Sequence, residues 1–184
     1  PYLNHIAWSP CSTKLLSLFH FAESGNGVRK VYPIVFDLVH KTWRCIDENG
    51  FFSHHTWLDA SSILAYKKFQ GKGRFCIWSI ESGWSGISDS MPIADGHPSP
   101  LSNSDRIIVD SYPNRMGMMK LYLGSSQSGD KYKTLGFIIN PPEYTGALRC
   151  DLHPRICRGN SKVICDMPTL EGRRILLMEG TYDE

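Results

Sequence analysis

Short apolar runs alternate with polar turns along the whole chain. Period-two segments such as Leu16-Ser17-Leu18 and Ile77-Trp78-Ser79-Ile80 predict strands, because side chains on a strand point alternately to its two faces. Helical periodicity is weak throughout. The best helical stretch, Trp57–Phe69, is interrupted by Ser61-Ser62 and carries the β-compatible Ile63-Leu64-Ala65-Tyr66, so it predicts a turn followed by a strand.

The pattern repeats. His5-Ile6-Ala7-Trp8 recurs as His54-His55-Thr56-Trp57, His97-Pro98-Ser99-Pro100 and His153-Pro154-Arg155-Ile156, at intervals of 49, 43 and 56 residues. Each copy leads through a polar turn into a second strand, at Lys14–Phe21, Ser62–Phe69, Arg106–Ser111 and Lys162–Asp166. A third follows at Val31–Leu38, Arg74–Ile80, Lys120–Leu123 and Arg173–Met178, and in three copies a fourth at Lys41–Ile46, Trp84–Ile87 and Tyr132–Ile138. Four short strands per unit at this period predict β-propeller blades. The expected fold is all-β: four consecutive four-stranded antiparallel blades, the last incomplete, in one domain over 1–184. The units span about 1–50, 51–91, 92–146 and 147–184. A β-sandwich with coincidental histidines is the alternative. The incomplete last unit leads to the expectation of a longer parent propeller, whose missing blades are partners of these.

Composition narrows the partners. Lys+Arg 20 against Asp+Glu 18 is too balanced to indicate a nucleic-acid surface, and no apolar run approaches the roughly 20 residues of a membrane span. Six cysteines (Cys11, Cys45, Cys76, Cys150, Cys157, Cys165) include no Cys-x-x-Cys pair, and Cys76 and Cys165 sit inside strand-like runs. Free thiols are expected, which favours a cytoplasmic compartment.

The repeat also concentrates chemistry. Equivalent repeat positions occupy equivalent places, so His5, His54, His97 and His153 are expected to gather at the mouth of the blades' inner strands. Neutral imidazoles there would bind a divalent metal (Mn, Zn or Ca), with Asp95 and Asp151, each two residues before a His, orienting them. An anion site, a proton-transfer site and plain hydrogen-bonding caps are the alternatives. Nearby stand Asp110, Tyr112, Arg115, Tyr144, Arg149 and Arg155. Arginine forks match carboxylates, and tyrosine stacks on sugar faces or donates a proton. Surface charge or an Asp110–Arg115 pair is the plainer reading of the arginines. His20 and His40 fall outside the repeat, and Trp8, Trp43, Trp57, Trp78 and Trp84 read as blade-packing residues. There is no His-Glu-x-x-His, Gly-x-Ser-x-Gly or phosphate loop.

Ala7-Trp8-Ser9-Pro10 before Lys14-Leu15-Leu16 resembles the Trp-Ser-Pro-Asp-Gly turn of TolB-type propeller repeats. Ser53-His54-His55-Thr56-Trp57, Asp95-Gly96-His97-Pro98-Ser99 and Arg149-Cys150-Asp151-Leu152-His153-Pro154-Arg155 resemble the blade starts of oligogalacturonate-lyase-like propellers. That resemblance implies histidines from several blades around a divalent metal, and cleavage of acidic oligosaccharides by β-elimination. Carried onto this chain, Arg115, Arg149, Arg155 or the metal would neutralise the substrate carboxylate. His55, His97 or Tyr112 would serve the proton steps, and Arg115 and Tyr144 the substrate. The alternative is a noncatalytic propeller module that binds protein or glycan. The sequence departs from the pattern in lacking its His-x-His pair. It also replaces the Asp-Gly turn by Cys11-Ser12, Asn103-Ser104-Asp105 and Gly159-Asn160-Ser161.

Overall fold

A computed structural model describes residues 1–22, 27–87, 90–127, 129, 131–157 and 159–182. The described residues form fifteen strands in four antiparallel sheets, each a meander of sequence-adjacent strands. Sheet 1 holds β1 (Tyr2–Trp8), β2 (Lys14–Ala22), β3 (Arg29–Asp37) and β4 (Thr42–Cys45). Sheet 2 holds β5 (Phe52–Trp57), β6 (Ser62–Phe69), β7 (Lys72–Ser79) and β8 (Gly83–Gly86). Sheet 3 holds β9 (Pro98–Pro100), β10 (Arg106–Asp110), β11 (Met118–Ser125) and β12 (Lys133–Ile139). Sheet 4 holds three strands, β13 (Arg155–Ile156), β14 (Lys162–Thr169) and β15 (Gly172–Glu179). These are propeller blades, the last with three strands. The stretch expected to turn and then extend does so, with β6 starting at Ser62.

Turn chemistry explains the meanders. The β6–β7 hairpin closes on Gln70-Gly71, both at positive φ (49° and 81°), the primed two-residue turn whose twist matches its strands. The turns that lack Asp-Gly keep a left-handed residue: Ser12, Asn103 and Asn160 sit at φ 56°, 55° and 55°. Asn and Ser tolerate that region through local hydrogen bonds, so the turn survives without the Asp-Gly pair. Asn160 also binds the Ser102 backbone through both ends of its amide, tying the equivalent turns of sheets 4 and 3.

The chain divides into two compact units, Pro1–Gly86 and Ile87–Glu184, each with its own core. In the first unit, Leu16, Leu18, Val35 and Ile46 of sheet 1 and its margin pack against Phe52, Trp57, Ile63, Ala65 and Trp78 of sheet 2. Directly paired residues share a face, so Trp57, Ile63, Trp78 and Trp84 form one row across sheet 2. Two of its indoles reach sheet 1 and its margin: Trp57 Nε1 donates to the Ala7 carbonyl at 3.1 Å and Trp84 Nε1 to that of Ile46 at 2.6 Å. In the second unit, Ile108, Met119, Leu121 and Leu123 of sheet 3 pack with Leu152, Val163, Cys165 and Tyr182. Not every tryptophan is a packing residue. Trp8 and Trp43, expected in the core, are open to solvent, whereas His20 is buried, stacked on Tyr2 at 4.7 Å and bonded to Asn4 and Arg29.

Candidate metal centre

Asp110, at the end of β10, organises the site. It is 1% exposed. Its Oδ1 accepts the backbone N–H of His97 at 2.6 Å, and its Oδ2 accepts the backbone N–H of His153 at 3.0 Å. The Nδ1 of His97 lies 3.0 Å from both oxygens. One carboxylate thus fixes the two histidine-bearing segments that lead into β9 and β13, and their rings lie 3.9 Å apart between centroids. Burial pushes the Asp110 carboxyl up, but the His97 hydrogen bond and charge, with the two backbone N–H groups, outweigh it and hold it below the usual range. The intimacy requires Gly96: a Cβ there would fall 1.9 Å from the Asp110 carbonyl oxygen. The expected Asp110–Arg115 pair does not form, because Asp110 faces inward to His97 while Arg115 is exposed on the following loop.

Asp151 completes the cluster. Its residue is 7% exposed; Oδ2 meets Arg149 Nη2 at 2.9 Å, while Oδ1 is buried without a hydrogen-bond partner. One donor atom each from His97, Asp151 and His153 lies within 4.8 Å of the others. Among the described residues this is the group of three that could hold a metal. His153 takes the left-handed φ of 42°, and its Nδ1 lies 3.2 Å from the Asp151 carbonyl and 3.6 Å from Asp166. Burial, then the charge of His97, lowers its pKa, which favours the neutral, metal-binding imidazole. Tyr112 packs edge-on to His97 at 5.9 Å, with the Arg149 guanidinium 4.9 Å above its ring. Burial and the charges of Asp95 and Asp151 push its hydroxyl up to about 12.

The other expected site residues lie elsewhere. In the first unit the neighbour of His5 is His55, edge-on at 6.4 Å, while His54 Nδ1 lies 3.1 Å from Ser53 Oγ. Pairing shifts register between Asn4 and Ala7 in β1 and between Phe52 and His55 in β5, and such bulges re-aim side chains. Among the described residues, these three histidines form no group of three metal donors. Arg155 is exposed on β13, lining with His153, Ile164, Asp166 and Ile175 a cavity of about 340 Å³. Tyr144 spends its hydroxyl on the Thr169 carbonyl at 3.2 Å and braces a hairpin. Sequence reasoning gave Asp151 an orienting role and offered Asp110 a pairing with Arg115 as one plain reading, where the structure sets Asp110 on His97 and His153. The available signal was an acid closing the apolar strand Ile107-Ile108-Val109.

No family model matches the chain, and no curated protein matches it. Solved structures do. TolB from Acinetobacter baumannii superposes over 97% of this chain and 41% of its own, with TM-score 0.63 and 14% identity. The propeller domain of the trilobed protease of Pyrococcus furiosus, of open velcro topology, matches over 97% and 67%, with TM-score 0.53 and 13% identity. The chain has the fold of a TolB-type β-propeller. A prolyl endopeptidase structure matches over 99% of this chain and 28% of its own, with TM-score 0.59 and 9% identity. The chain spans less than half the length of TolB and of this peptidase.

Proposed function

We propose that this propeller segment binds a divalent metal ion at His97, Asp151 and His153 and, through it, a carboxylate-bearing ligand of the acidic-oligosaccharide class. The observation that carries the reading is the buried Oδ1 of Asp151, which has no hydrogen-bond partner and stands in a cluster with two imidazoles. A buried carboxylate oxygen is costly to leave unsatisfied, and a cation satisfies it. The donor set fits the group. Two imidazole nitrogens and one carboxylate oxygen suit Zn or Mn better than Ca, which prefers a shell of oxygens. Asp151-Leu152-His153 has the i, i+2 spacing of the related pattern's His-x-His pair, with a carboxylate in place of one imidazole. A metal held by three protein ligands keeps open positions for an anion, and Arg149 adds a guanidinium fork beside it.

Lyase chemistry is a second reading, favoured by Tyr112 against His97. β-Elimination needs a base for the proton next to the carboxylate and an acid for the leaving oxygen, and Tyr112, packed against the metal ligand His97, would serve one of these proton steps. Without turnover, the same site serves a noncatalytic binding module. The test is elemental analysis of purified protein and isothermal titration with Zn and Mn, for wild type, Asp151→Asn and the double variant His97→Ala, His153→Ala. One equivalent of metal in wild type, weakened at least about tenfold by Asp151→Asn and lost in the double variant, is expected. Retention of the metal by the double variant, or none in wild type, overturns the reading. An absorbance assay for unsaturated uronates on the metal-loaded protein then separates lyase from binding module.

A further inference from the structure

The face that sheet 1 turns to sheet 2 changes character towards one end. Leu16 pairs with Val35, and both are buried in one core with Trp78. Two positions further along the same strands Lys14 pairs with Asp37 and Asp37 with Thr42, while Val35 pairs across to Arg44. Alternation puts these side chains on the side of the sheet that Leu16 and Val35 occupy. There Lys14, Val35, Asp37, Thr42 and Arg44 line, with Trp78 and the neighbouring Ile80, a cavity of about 230 Å³. All of these residues lie within Pro1–Gly86.

Two cations in this cavity are unpaired. The Arg44 guanidinium lies over the Trp78 ring, 4.5 Å from its centroid, and that indole is held in the core at 4% exposure. Among the described residues, neither this guanidinium nor the Lys14 ammonium makes an ion pair or a side-chain hydrogen bond. The one carboxylate beside them does not neutralise them. Asp37 Oδ1 accepts the backbone N–H groups of Val39 and His40 at 3.0 Å each, and Oδ2 lies 3.1 Å from His40 Nδ1, so the group is engaged with its own turn. Stacking on an aromatic face holds a guanidinium in one plane and leaves its N–H edge free to bind.

We infer that this cavity is an anion site of the first unit, independent of the metal cluster, and that its ligand is a small carboxylate carried on a single ring. The Arg44 fork takes the carboxylate in two parallel hydrogen bonds, Lys14 adds a second positive charge and Thr42 offers a hydroxyl. Val35, Trp78 and Ile80 form the apolar wall that receives the ring. The volume lies below the roughly 300 Å³ at which pockets for larger ligands begin, so it admits one ring rather than a chain. Acetate and inorganic phosphate bring no apolar surface to that wall and should bind less tightly. Aromatic acids and uronic acids share the required chemistry and differ in the polarity of the ring.

Heteronuclear NMR on the whole nitrogen-labelled chain at low ionic strength tests this, through the Arg44 Nε–H and Trp78 Nε1–H signals. The probes are benzoate, galacturonate, acetate and inorganic phosphate. Benzoate or galacturonate should shift both signals saturably and bind at least about tenfold more tightly than acetate or phosphate, the gain expected from burying one ring face. Whichever ring probe binds more tightly assigns the ring as aromatic or sugar. Arg44→Lys keeps the charge but loses the fork, and should weaken binding about tenfold as read at Trp78. Lys14→Gln should weaken it as well. Neither side chain is buried, so both variants should fold, which circular dichroism checks; should Arg44→Lys not fold, Lys14→Gln and the ranking of probes on the wild type still decide. A chelator should leave the titration unchanged. The inference is overturned if neither ring probe gives a saturable shift, if acetate or phosphate binds as tightly, or if binding is indifferent to the substitutions. Loss of binding on chelation would place the carboxylate on a metal and overturns it equally.

Discussion

His55 shows how one side chain's surroundings set its charge. Burial pushes its pKa to about 4, and the neighbouring charges of His5 and His54 act in the same direction, so the ring is neutral in the folded chain near pH 7. An unfolded histidine titrates near 6.5. The folded pKa is the lower of the two, so the unfolded chain binds the extra proton first as the pH falls. Stability is therefore complete above pH 6.5 and declines between pH 6.5 and 4, by on the order of 3 kcal/mol from this group. Urea midpoints measured across that range should fall with pH, and His55→Gln should flatten the slope. A slope unchanged by the substitution would assign the acid sensitivity to other groups. Asp110 illustrates the opposite balance, since its partners outweigh its burial and keep it ionised.

At the level of strands and loops, the loop before β9 works only by touching β10. Gly96 lies against the backbone of Asp110, and the adjoining His97 N–H is the shortest of that carboxylate's backbone hydrogen bonds. Gly96→Ala must push two main chains apart, which is costlier than displacing a flexible side chain. A loss of about 3 kcal/mol in denaturant midpoint is expected, together with weakened metal binding, since His97 moves with the loop. Unchanged stability and metal affinity would mean that the loop relaxes without cost. The strands were largely legible beforehand. Ser62–Phe69 coincides with β6, and Lys14–Phe21 falls one residue short of β2, because alternation and polar turns are local signals. The site was half legible. Recurrence picked out His97 and His153 but also His5 and His54, because repetition marks equivalent strand starts without showing where a bulge turns the side chain. Asp110 was hidden for a different reason. Its partners lie 13 and 43 residues away, and the one local signal, an acid closing Ile107-Ile108-Val109, marks a special carboxylate without saying that it organises two distant loops.

For the molecule as a whole, the division into two units has a built-in optical readout. All five tryptophans lie in Pro1–Gly86, whereas His97, Asp151 and His153 lie in Ile87–Glu184. Each unit has its own apolar core, so each has what it needs to unfold as a separate cooperative step. A ligand that binds only the folded form stabilises the unit containing its site, by about 2.7 kcal/mol at a hundredfold excess over Kd. For a unit of this size that corresponds to a shift of roughly 10 °C in melting temperature. Adding Zn or Mn should therefore raise the melting transition seen by far-ultraviolet circular dichroism in one component only. The transition reported by tryptophan fluorescence should stay where it is. If the tryptophan signal moves upward together with the dichroism, the two cores unfold as one, and metal held in the second unit stabilises the first as well. If neither moves at saturating metal while binding is seen by titration, the metal is held by the unfolded chain as tightly as by the folded one. The His97–Asp151–His153 geometry would then not be what binds it.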